Sequence, residues 1–176
     1  MIPGAATRAA AALDDAARAF EACGWRRLAG AAEDQIVLTD GDLRIALRHA
    51  PQGRFLGGTW ALEIATVGAV LPPSRGLRAR GVGAVRMAGV RFRARRDDAA
   101  GQRLAERLSD DAGLSEALKA VDFESVRVEA DGTPVIRHLG GSVVWVLLPP
   151  ILRATPLVED QARSAAAALR AFAARG

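Results

Sequence analysis

The chain has 176 residues, half of them hydrophobic, with 24 basic against 20 acidic side chains and a net charge of +4. That is enough apolar material to bury a core without covalent staples, and the single cysteine, Cys23, excludes an internal disulfide and fits a reducing, cytoplasmic setting. Two histidines and that one cysteine, far apart in sequence, lack metal-ligand spacing, and the longest apolar run, Val143–Leu152, is too short to span a bilayer and contains two prolines.

Ala5–Ala22 reads as a helix. Ala9, Leu13, Ala16, Phe20 and Cys23 recur at four-three spacing, and Gly24 stops it. Arg8, Asp14, Asp15 and Arg18 fall at helical spacing, so the first twenty residues do not read as a signal peptide. Gln35–Thr39 is a strand and Asp40-Gly41 a turn. Leu43–His49 is a half-buried strand with Leu43, Ile45 and Leu47 on one face and Arg44, Ala46 and Arg48 on the other. Pro51–Phe55 reads as a loop, followed by Leu56-Gly57-Gly58, a strand over Thr59–Val67 and a loop over 71–76. Gly81–Arg95 is strand-like, and its apolar parity switches at Gly89, which implies a bulge or a break. Asp97 or Asp98 caps a helix running to Leu108, and a shorter helix spans Ala112–Ala120. Glu124–Ala130, an Asp131-Gly132 turn, Thr133–Leu139, a second Leu-Gly-Gly and Ser142–Leu148 follow as strands and punctuation. Thr155-Pro156 supplies a cap and a first residue for the last helix, with Glu159 and Asp160 in its first turn.

The order helix, strand, Asp-Gly, strand, Leu-Gly-Gly, strand, Leu-Pro-Pro thus occurs twice. It predicts one α+β domain over 1–176: a twisted, mainly antiparallel sheet with helices packed on one face. Two αβββ units, 5–73 and 98–175, would be pseudo-repeats joined by a basic strand segment, 75–96. Chance recurrence of punctuation in a Gly-rich chain explains the repeated words equally well.

Charge is segregated. Ile64–Arg96 holds eight arginines and no acid, so against an overall +4 the remainder of the chain carries −4. Lys119 is the only lysine, a preference that resembles GC-rich bacterial coding, so placement carries more information than residue type. Within Val90-Arg91-Phe92-Arg93-Ala94-Arg95 the arginines share one strand face, about 6.6 Å apart. Arg78, Arg80, Arg86, Arg91, Arg93, Arg95 and Arg96 are therefore the candidate contacts for an acidic protein or other anionic partner. The plainer reading is a solvated face whose arginines guard a sheet edge or are neutralised by helix acids.

Other chemistry is thinly signalled. Nucleic-acid binding lacks exposed aromatics, a zinc pattern and a helix-turn-helix. His138-Leu139-Gly140-Gly141-Ser142 lacks the nucleophile elbow of a hydrolase, and Gly81–Gly89 misses the dinucleotide and phosphate-loop fingerprints. No cofactor is implied. Trp60 and Trp145 occupy matching segments of the two halves, and with His138 they define an alternative, a pocket for an apolar ligand or substrate. The preferred reading is a non-catalytic binding module with a basic face. A free sheet edge or an Ala-rich helix offers a route to a homodimer.

Overall fold

The computed structural model describes residues 4–30, 34–54, 56–82, 89–147 and 151–176. Among them, four helices lie on one side of a nine-stranded sheet. In chain order these are α1 (Ala5–Glu21), β1 (Arg26–Arg27), β2 (Gln35–Asp40), β3 (Leu43–Arg54), β4 (Gly57–Thr66), β5 (Leu77–Val82), β6 (Gly89–Ala94), α2 (Ala99–Ser109), α3 (Ala112–Lys119), β7 (Phe123–Val128), β8 (Pro134–Val146), β9 (Ile151–Ala154) and α4 (Glu159–Ala173). The sheet runs β1-β2-β3-β4-β8-β7-β5-β6, with β9 beside the distal half of β8, and every pairing is antiparallel.

Strand alternation sends one residue set inward. Leu38, Ile45, Leu47, Leu62, Ile64, Val126 and Ile136 are buried against Phe20, Leu114, Leu118, Leu169 and Phe172 of the helices. Each such side chain stabilises the fold by about 1.5–3 kcal/mol relative to exposure. Alanines at the contact, among them Ala16, Ala17, Ala162 and Ala165, are all fully buried and let α1 and α4 pack close. Asp98 caps α2 by accepting the Gly101 N–H (2.9 Å), and Asp111 caps α3 through the Leu114 N–H (2.8 Å).

Several boundaries differ from expectation, each for a tertiary reason. β3 continues through Pro51 to Arg54 because β4 pairs with it up to Arg54↔Gly57. Beyond Arg48 it has no β2 partner, and such an edge tolerates proline. At Gly89 the break, one of the two expected alternatives, is what the structure has: β6 starts there, and residues 83–88 of the expected 81–95 stretch lie outside the described residues. β5 and β6 form a hairpin whose register runs from Leu77↔Ala94 to Val82↔Gly89. The strands expected at 133–139 and 142–148 are one strand, β8, and its Leu-Gly-Gly is an irregularity within it where the register to β4 shifts. The first Leu-Gly-Gly instead opens β4. Thr155 does not cap α4: its N–H bonds Ser142 O and its carbonyl accepts from Gly141, so it extends the β8–β9 pairing. α4 starts after Val158, with no side-chain cap, and Glu159 and Asp160 do occupy its first turn.

Candidate functional site

The sheet face opposite the helices is formed by the other half of each alternation. Register places Arg48 beside Glu63 and Glu63 beside Arg137, across β3, β4 and β8. On the neighbouring strands Arg127 stands beside Arg78 and Arg78 beside Arg93, across β7, β5 and β6, with Arg80 opposite Arg91 one step along.

Glu63 is the hub. It is 2% exposed, on a central strand. Arg48 donates to its Oε2 from Nε (3.1 Å) and Nη2 (3.0 Å), while Arg127 Nη1 (2.9 Å) and Arg137 Nη2 (2.8 Å) converge on Oε1. Burial by itself would raise the Glu63 pKa. The hydrogen bonds and charges of Arg127, Arg137 and Arg48 outweigh it and bring the carboxyl down to about 2. Arg127 also donates to Glu129 from Nε (2.6 Å). The Nε of Arg137 is buried without a partner.

The sequence-derived arginines divide. Arg91 and Arg93 lie exposed on β6 and Arg78 on β5, and none has a carboxylate within ion-pair distance among the described residues. Residues 83–88, outside the described residues, include no acid in the sequence. Arg95 is partly neutralised by Asp97 (3.4 Å), which Arg75 also engages (2.5 Å). Arg96 belongs to the turn before α2 rather than to the strand row. The Arg80 side chain and Arg86 lie outside the described residues. Part of the β6 edge is closed by helix side chains. The outward N–H groups of Phe92 and Val90 are taken by Ser109 Oγ (2.9 Å) and Ser115 Oγ (3.3 Å) from α2 and α3.

Grooves follow the arginines. One of about 500 Å³ lies along Arg75, Arg78, Arg93, Arg95, Arg127 and Glu129. A smaller one, about 350 Å³, is lined by Arg78, Ala79, Ser125, Val126, Arg127 and Arg137.

Trp60, Trp145 and His138 do not share one of these cavities. The two indoles pack on each other, with centroids 6.1 Å apart. A Cβ built at Gly58 would lie 2.7 Å from Trp145 Nε1 and 2.6 Å from Gln52 O, so this glycine is what admits the Trp145 ring against the strand. Trp145 also borders a shallow cleft with Leu56, Gly57, Thr59, Val144 and Val146. His138 is buried. Gly140 N–H donates to its Nδ1 (2.8 Å), which leaves Nε2–H for Gln161 Oε1 on α4 (3.2 Å). Burial pushes the His138 pKa down, partly offset by the Gly140 carbonyl near Nδ1 (3.2 Å), by Gln161 and by the charge of Asp122. The ring ties β8 to α4. His49 is likewise lowered by burial, offset by Gly141 O at 2.8 Å.

Sequence reasoning missed Glu63, Arg127, Arg137 and Ser125. Parity held a partial signal, since Glu63 interrupts an Ala-flanked apolar strand and Arg127 and Arg137 alternate with buried valine and isoleucine. Among the described residues no helix is long and apolar enough to cross a membrane. The family described as Protein of unknown function (DUF3156) matches residues 18–175. No curated protein and no solved structure matches the chain.

Proposed function

The chain belongs to that family, and we propose that it is a non-catalytic binding module whose helix-free sheet face receives an acidic protein or comparable anionic partner. One observation carries this reading: Arg93, Arg78 and Arg127 stand side by side on three adjacent strands. Directly opposed like charges destabilise a sheet by a few tenths of a kcal/mol up to about 1 kcal/mol per pair. Two of the three have no carboxylate partner among the described residues. A row held at that cost fits a surface whose counter-charge arrives with a partner. Nucleic acid remains the weaker match, because the described face is arginine without aromatic platforms.

The test is a titration of labelled poly-glutamate, from about 50 to 200 mM salt. Binding is expected at low salt, weakens as salt rises, and is lost in the Arg91→Glu, Arg93→Glu, Arg95→Glu triple variant. It survives in Arg163→Glu, on the helix side, where Arg163 pairs with Glu159. No binding at low salt, or equal binding by the triple variant, refutes the reading.

A second reading, an apolar ligand near Trp60 and Trp145, is favoured by the exposed Leu56, Val144 and Ile151 gathered at that end of the sheet. It predicts quenching of Trp fluorescence by an apolar ligand, with His138 acting as a strut rather than a lining residue. A fluorescence signal that does not respond to fatty acids or hydrophobic dyes counts against it.

A further inference from the structure

We infer that the opening between β5 and β7 is a discrete site for a dianionic phosphate group. This rests on the basic-face reading above and specifies the chemistry of one place on that face. The β5–β7 pairing ends at Ala79↔Val126, although β5 runs on to Val82 and β7 begins at Phe123. The β7 register also shifts between Phe123 and Ser125. The strands part there, and the cavity of about 350 Å³ opens between them.

Its walls carry donors without matching acceptors. Arg127 spends Nε on Glu129 and Nη1 on Glu63, leaving Nη2. Arg137 spends Nη2 on Glu63, and its Nε has no partner. The Arg78 guanidinium has no carboxylate partner among the described residues, Ser125 adds a hydroxyl, and no carboxylate lines the cavity. The cluster's charge points the same way. Arg48, Arg78, Arg127 and Arg137 face two carboxylates, Glu63 and Glu129, which leaves two positive charges unmatched. Glu63 stays ionised throughout the physiological range, so the count does not drift with pH. A carboxylate or phosphodiester brings one negative charge, whereas a phosphate monoester brings about −1.5 to −2 and three acceptor oxygens suited to guanidinium forks.

The experiment is calorimetric titration of the full chain at fixed ionic strength. The probes are inorganic phosphate, O-phosphoserine and dimethyl phosphate, a monoanionic diester. Inorganic phosphate is expected to bind saturably, and dimethyl phosphate roughly tenfold or more weakly. Phosphoserine binding as well as phosphate identifies an esterified source, and phosphate alone identifies the free ion. Arg78→Ala, a surface change, weakens phosphate by about tenfold or more. Arg163→Ala, on the helix side and away from the cavity, leaves affinity within about twofold. Absence of saturable phosphate binding, equal affinity for the diester, or an unchanged Arg78→Ala overturns the site. If the site fails while poly-glutamate still binds, the partner face stands without it.

Discussion

Glu63→Gln isolates the electrostatics on which the basic face is built. The substitution keeps side-chain size, removes the charge and turns an amide NH2 toward guanidinium donors. In the folded chain the Glu63 pKa is lowered from 4.5 to about 2. That gap is worth about 3 kcal/mol of stability. Because the folded value is the lower one, the contribution is complete above pH 4.5 and disappears as pH falls through about 2. Breaking a buried ion pair from one side costs about 3–5 kcal/mol by an independent route, so the two magnitudes agree. Urea denaturation of wild type and variant, repeated from pH 7 down to pH 2, reads both. The variant should be less stable by about 3 kcal/mol at pH 7, with the gap closing as wild-type Glu63 takes up its proton. A gap below about 1 kcal/mol at pH 7, or one that stays constant to pH 2, would show that the three arginines do not hold this carboxylate as described.

Gly58→Ala should destabilise the fold by about 1–3 kcal/mol and shift Trp emission, because the new methyl meets Gln52 O and the Trp145 ring. Gly53→Ala, with open space around it, is the control, and equal effects of the two would refute the packing account. For His138, burial lowers the folded pKa beneath its ordinary 6.5. Stability should therefore be complete above pH 6.5 and decline below it as the unfolded chain gains the proton first. His138→Gln should flatten that decline in a urea series between about pH 7.5 and 5, with His49, also lowered by burial, keeping its own share. Identical slopes would remove His138 from the pH response.

How far local pattern reaches is visible element by element. Alternation over Leu43–His49 and an aspartate cap at 97 or 98, which the structure gives to Asp98, were legible because each depends on neighbours within a few residues. The β6 arginine face was legible for the same reason, and the structure leaves Arg91 and Arg93 on an exposed strand face as parity required. Identical words nevertheless folded differently. Leu56-Gly57-Gly58 opens β4, where Gly58 admits Trp145, whereas Leu139-Gly140-Gly141 interrupts β8, where Gly141 adopts φ +77° against Leu62.

The amino-acid sequence by itself determined the α+β class, the inward and outward halves of most strands, and the segregation of arginine. Only the tertiary structure decided that β4 lies between β3 and β8, that β5 lies between β6 and β7, and hence that Arg48, Arg127 and Arg137 close on Glu63. Alternation is a property of each strand's own backbone geometry. Which strands become neighbours depends on how all the apolar faces are buried together, and that information belongs to no single stretch of chain.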